Sequence, residues 1–227
     1  MSAKDYISGE IILINKPYKW TSFDVVNKVR MVLKKKLKKK KLKVGHAGTL
    51  DPLATGLLVI CTGAFTKKAD EYQALEKEYT GTFTLGSTTP SFDLETQINR
   101  NFSTDHITEK EIKEAAKKLT GTYHQTPPIF SAIKIDGERA YEIARRGEQA
   151  VIKPKEITIA DFEITGINIP EVSFRIVCSK GTYIRSIAND FGNELQSGAH
   201  LSSLCRTRIG NFKLEDAINV ESFEKSL

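Results

Sequence analysis

Between Gly45 and Gly63 the chain reads GHAGTLDPLATGLLVICTG, four glycines spaced around an aspartate–proline pair and an apolar run. No other stretch limits the fold so strongly. Glycine permits backbone turns with positive φ and close approach of a ligand. Pro52 pushes the residue before it out of helical geometry, so Asp51 sits in a stiff loop just ahead of a strand. On these residues alone Asp51 caps a helix, closes a turn or carries chemistry, and all three readings stay open.

The surrounding pattern mixes strands and helices. Glu10 to Ile14 reads as a short buried strand stopped by Lys16-Pro17, and Thr21-Ser22 suits the cap of a helix with Val25, Val26, Val29 and Leu33 on one face. Glu78 to Leu85 and Val172 to Cys178 alternate like strands. Thr108 with Glu111 makes a capping box for a helix whose apolar face is Ile112, Ala115, Ala116 and Leu119, with Gly121 as its stop. Thr126-Pro127-Pro128 opens a stretch of little periodicity that runs to Glu148 and suits a surface insertion. Tyr183 to Leu195 reads as a helix. There is no strict βαβ rhythm, and the expected class is α+β.

At 227 residues, 40% hydrophobic and 27% charged, the chain suits one large soluble domain or two small ones. No apolar run approaches the ~20 residues of a membrane span, and no secretory signal opens the chain; a cytoplasmic protein is expected. Cys61, Cys178 and Cys205 are scattered, and His46, His106, His124 and His200 lack ligand spacing, so neither a metal site nor a disulfide framework is expected. The net charge is +6, but Lys34 to Lys43 holds eight lysines in ten residues, and without those eight the remainder stands at −2. That run is either a solvated loop or a phosphate-contacting arm.

A second segment, CSKGTYIRSIANDFG at 178–192, sets Tyr183 and Arg185 two apart where a strand end gives way to a helix. Taken with its neighbours it resembles the TruB family, the synthases that make the pseudouridine of the tRNA T-loop. INKPYKWTSFDVV is similar to the family's first motif, GHAGTLDPLATG to its catalytic-aspartate motif and KEYTGTFTLG to its tyrosine motif. QTPPIFSAIKIDGERAYEIARRG resembles a thumb-like RNA-gripping insertion, and GAHLSSLCRTRIGNF a closing leucine segment. The likeness runs in one order from about Ile11 to Phe212.

The resemblance implies a pseudouridine synthase fold, a mixed and largely antiparallel sheet with flanking helices and a central cleft. It implies a single catalytic domain over 1–227, with the thumb at about 124–150 and no C-terminal PUA domain, since fifteen residues follow Phe212. Asp51 would be the catalytic carboxylate and Arg185 its partner. Tyr183 would pack in the same pocket, Tyr79 stack on a flipped uracil, Leu204 line the pocket wall, and His46 fill the space left by the flipped nucleotide. Lys16-Pro17 would support the site. The expected partner is the T-arm of tRNA, with no cofactor, no metal, no membrane and no obligate protein partner, and the chain a monomer.

Isomerising uridine exchanges no electrons, and one carboxylate suffices where a glycosidase needs two. Two departures stand out. Lys19 occupies a usual glycine position, and STTPSFDLET after Gly86 departs from the common threonine–aspartate–threonine pattern, so no role falls on Pro90, Ser91 or Asp93. The rival classes are an RNA-binding or tRNA-folding protein without chemistry, and an aspartate-based nucleoside hydrolase or base-excising glycosylase.

Overall fold

A computed structural model describes residues 5–131, 133–135, 137–148 and 151–227. The chain forms two compact units, the first made of residues up to Tyr79 with Leu204–Leu227, the second of Thr80–Ser203.

The first unit opens with strand β1 (Ile11–Lys16) and helix α1 (Ser22–Lys36). Thr21 caps α1 through a full capping box with Asp24, which satisfies two otherwise orphaned backbone donors. Strand β2 (Val44–His46) leads through the Asp51 loop to β3 (Thr55–Thr62), followed by helix α2 (Ala69–Ala74) and strand β4 (Lys77–Leu85). β3 is antiparallel to both β1 and β2. Its run from Leu57 to Cys61 is apolar because both faces are covered. Leu58 and Ile60 pack against Val25, Val26, Val29 and Leu33 of α1, while Leu57, Val59 and Cys61 face a second cluster around Ala47 and Ile209.

The second unit takes up the rest of β4. It continues through the short pair β5 (Ser87–Thr88) and β6 (Arg100–Asn101), helix α3 (Glu109–Lys118) and strand β7 (Gly121–Gln125). Thr108 and Glu111 form the expected capping box on α3. The helix stops before Gly121, whose φ of 114° opens β7 instead.

Next come β8 (Lys134–Ile135), β9 (Glu138–Arg139) and α4 (Ala140–Arg145), then β10 (Lys155–Asn168), β11 (Glu171–Cys178), α5 (Ile184–Glu194) and β12 (Ala199–Ile209). The hydrogen-bonded order within this unit is β12-β4-β11-β10-β7, and β10 is antiparallel to both neighbours. Phe83, Phe162, Phe174 and Phe191 stack and tilt against one another in its core, with Phe83 and Phe174 centroids 4.2 Å apart.

The stretch after Thr126, which reads as aperiodic, thus contains a pair of two-residue strands and a six-residue helix. His124 and Gln125 belong to β7. Ala132, Asp136, Gln149 and Ala150, within the expected thumb, lie outside the described residues. The chain closes in the first unit with the end of β12, β13 (Phe212–Lys213) and α6 (Val220–Lys225). There β12 runs parallel to β3, pairing Cys205 with Thr55 and Arg206 with Gly56, so the architecture is α+β on mixed strands. No helix among the described residues is long and apolar enough to cross a membrane.

Candidate active site

Asp51 lies in the loop between β2 and β3, and the backbone of that loop is tied down from several sides. The Ala54 N–H donates to the Asp51 carbonyl at 3.1 Å, closing a turn with proline at its second position. Ser22, the first residue of α1, accepts from Leu50 N–H at 2.8 Å and donates to the Leu50 carbonyl at 3.2 Å. Lys19 N–H donates to the Pro52 carbonyl at 2.9 Å. Lys19 holds φ at 66°, the left-handed conformation that glycine adopts without strain. The turn expected of glycine is therefore kept, at a cost of about 1–2 kcal/mol for a side chain there.

Two buried cations complete the clamp. Lys16, fully buried at the end of β1, donates from Nζ to the carbonyls of Pro17 at 3.1 Å, Trp20 at 2.5 Å and Pro52 at 3.3 Å. Arg206 on β12, 1% exposed, donates from Nε to Leu57 at 2.9 Å, from Nη2 to Gly48 at 3.1 Å and from Nη1 to Thr49 at 3.3 Å. Burial pushes the Lys16 ammonium down to about 8, against the pull of the Asp51 carboxylate and with a push from Arg206. Gly56 lets β3 and β12 meet here. Its φ is 103°, and a Cβ would stand 2.4 Å from the Arg206 carbonyl.

Three more sequence-chosen residues share this unit. His46 ends β2. Its Nδ1 is buried without a hydrogen-bond partner among the described residues, and burial followed by Arg206 holds the ring below the usual imidazole range. Leu204 enters the unit on β12, where its carbonyl accepts from Thr55 Oγ1 at 3.3 Å, four residues past Asp51. Tyr79 is buried on β4, next to Glu78, which accepts from Thr207 Oγ1 at 2.8 Å.

Tyr183 and Arg185 belong to the second unit. The buried Gln125 amide bonds both backbone groups of Tyr183, accepting from its N–H at 2.8 Å and donating to its carbonyl at 3.2 Å. This fixes the first turn of α5 and so the direction of Arg185. Arg185 is buried, donates to the Ser91 carbonyl at 3.2 Å and sets Nε 3.7 Å from Asp93 Oδ2. The loop around Asp93 is stitched to itself: Thr89 Oγ1 donates to the Asp93 carbonyl at 2.6 Å, Ser91 Oγ at 3.2 Å, and Asp93 Oδ1 accepts from Glu95 N–H at 3.0 Å. Phe92 holds φ at 63°, uncommon for a bulky residue, while its carbonyl accepts from Leu201 N–H at 2.8 Å.

In the insertion, the guanidinium groups of Arg139 and Arg145 lie over the Tyr141 ring at 5.9 and 5.3 Å, and Arg146 pairs with Glu138 and Glu148. No group of His, Cys, Asp or Glu among the described residues is arranged to hold a metal ion.

Sequence reasoning missed Arg206, Ser22, Gln125 and Asp93. A buried arginine needs an acid or carbonyls to face it. For Asp93 that need, in a segment dense in Ser, Thr and Asp, was the one available signal.

Residues 34–184 match the model of the TruB family pseudouridylate synthase N-terminal domain. A protein of Flavobacterium johnsoniae described as tRNA pseudouridine synthase B is 56% identical over the full length of both chains. The chain belongs to the TruB family. A relative of the same description from Phocaeicola vulgatus is 52% identical, over 98% of this chain and 95% of its own. Among solved structures, a chain of a Cbf5–Nop10–Gar1 complex superposes on this TruB-family fold with a TM-score of 0.69 at 29% identity. A chain of the archaeal box H/ACA sRNP Nop10–Cbf5 complex does so at 0.68 and 25%. This chain spans about half the length of those two, 54% and 53%, while they cover 97% and 96% of it.

Proposed function

We propose that this TruB-family chain isomerises a uridine of tRNA, the T-loop uridine at position 55, to pseudouridine, with Asp51 as the catalytic carboxylate. The observation that carries the reading is the clamp on the Asp51 loop. Lys16 and Arg206 spend their donors on loop carbonyls, and Gly56 admits β12 alongside. A catalytic group must be held within a fraction of an ångström, and this loop is built for that.

The reaction breaks N1–C1′, turns the uracil and joins C5 to C1′. The proton leaving C5 is balanced by one gained at N1, so nothing is oxidised or reduced. Asp51 would either attack C1′, forming an ester that C5 then displaces, or stabilise charge while a C2′ proton is lost and then regained as C5 joins C1′. Tyr79 would stack on the flipped base, an interaction worth about 1–3 kcal/mol that offsets much of the cost of unstacking. His46, whose buried Nδ1 lacks a partner among the described residues, would fill the place of the nucleotide that has left its stack. Leu204 would wall the base. The roles of Tyr183 and Arg185 rest on the likeness of their motif, together with the care with which Gln125 and Asp93 hold them.

The test is pseudouridine mapping on unmodified tRNA incubated with the purified protein. Pseudouridine at position 55 supports the reading. Free uracil among the products would point to a glycosylase and overturn it.

A further inference from the structure

The lysines of 34–43 take no part in the clamp on Asp51, yet all but the half-buried Lys34 are held in the open. Lys34, Lys35 and Lys36 fill the last turn of α1, where cations favour the carboxyl end of a helix. That accounts for three charges at most. Past the helix cap at Leu37 come Lys38, Lys39, Lys40, Lys41 and Lys43, all exposed.

The two leucines explain how the run is held. Leu37 and Leu42 both pack against the core beneath α1. Between them the backbone folds back, with N–H groups of Leu37, Lys38 and Lys39 donating to carbonyls of Leu33, Lys35 and Lys34 at 2.9, 3.3 and 3.1 Å. Lys38 adopts a left-handed φ of 50° to make that turn. The leucines are anchors and the lysines are the outer surface.

None of these eight ammonium groups pairs with an acidic side chain among the described residues, whereas Lys28, earlier on α1, reaches Glu224 at 2.6 Å. Eight like charges in ten residues repel one another, and no acidic side chain among the described residues pairs with them. Position narrows the partner. The run leads into Val44, which pairs with Thr62 at the far end of β3, while Asp51 precedes Thr55 at the near end. The strand between spans about 23 Å at ~3.3 Å per residue.

We infer that Lys34–Lys41 is a phosphate-binding surface for the helical part of the substrate RNA, about a strand's length from the base that reacts. The inference rests on the tRNA reading above. The run holds no aromatic or arginine residue, so it has nothing to stack on or fork to an exposed base. Compact ammonium charges read backbone, and double-stranded RNA is recognised mostly through shape and backbone.

The experiment replaces Lys35, Lys36, Lys38, Lys39, Lys40 and Lys41 with glutamine in the full chain, with an all-arginine version beside it. Fluorescence anisotropy gives Kd for tRNA, a T-arm hairpin and a loop-only oligonucleotide across a potassium chloride series. Single-turnover kinetics give the rate at saturating protein. If about three lysines reach phosphates at once, the slope of log K against log salt flattens by roughly 2–3 for tRNA and hairpin, and Kd near 0.1 M salt rises on the order of a hundredfold. The arginine version restores both, the saturated rate stays within about twofold, and the loop-only RNA binds all three proteins alike.

Unchanged slope and Kd overturn the inference. Equal loss on the loop-only RNA moves the lysines to the loop and overturns the assignment to a stem. Wild-type protein that binds with this slope but forms no pseudouridine sinks the proposed reaction and leaves the phosphate surface standing.

Discussion

Arg206→Met removes a guanidinium from inside the Asp51 loop while leaving a side chain of similar girth in its slot. Hydrogen bonds from a charged donor contribute about 1.5–3 kcal/mol each. The bonds to Leu57 and Gly48, at 2.9 and 3.1 Å, are of full length, and the bond to Thr49 at 3.3 Å is weak. Together they amount to about 4–6 kcal/mol. Methionine escapes the several kcal/mol that desolvating a buried charge costs, which offsets part of the loss. The net is about 2–3 kcal/mol, and at this chain length Tm should fall by about 5–10 °C.

The effect on chemistry should be larger than the effect on binding. Freed carbonyls of Gly48 and Thr49 let the loop shift, and about 1 Å of misplacement costs ~100-fold in rate. Thermal unfolding by circular dichroism and single-turnover pseudouridine formation measure the two effects, with RNA affinity expected within about threefold of wild type. Arg206→Lys should recover part of the stability, because one ammonium reaches fewer of the three carbonyls. A methionine variant that melts within two degrees or so and turns over within about threefold of wild type would refute the clamp.

Asp93→Asn removes an acidic group 3.7 Å from buried Arg185 and should cost about 1–3 kcal/mol in chemical denaturation; unchanged stability would show that the other groups around the arginine hold it without that charge. Lys16 titrates near 8 when folded against 10.5 unfolded, so its contribution to stability is lost as pH falls through 8 and grows up to 10.5. Wild type should therefore gain on Lys16→Met between those values in denaturation curves, and parallel curves would contradict the burial argument. Burial pushes Asp190 up to about 6, so its contribution is present below the unfolded value and lost as pH rises through 6. Asp190→Asn should raise Tm at pH 7.5 and do little at pH 4, and an equal shift at both would assign the effect to packing.

What the sequence revealed of the fold was local. The caps of α1 and α3 are side chains bonding backbone three residues away, and both lie where the residues say they should. β3 was legible because a strand covered on both faces shows an unbroken apolar run, here Leu57 to Cys61. Lys19 hid its turn, since a glycine conformation without glycine leaves no trace in composition. The hairpin and helix after Thr126 escaped because elements of two and six residues are too short to show a period.

The supports of the site escaped for another reason. Arg206 bonds carbonyls some 150 residues away, and Gln125 bonds the backbone of Tyr183, 58 residues on. A backbone carbonyl accepts from any donor and carries no residue identity, so only the tertiary fold reveals such partners.

Asp51→Asn, assayed for pseudouridine at position 55 of tRNA under single-turnover conditions, tests the central claim most directly. The amide keeps the shape and polarity of the side chain but loses the charge and the nucleophile. RNA should bind nearly as tightly as to wild type, and no pseudouridine should form above a few per cent of the wild-type rate. A variant that binds tRNA and still converts it at a substantial fraction of that rate would show that the carboxylate this loop holds in place does not do the chemistry.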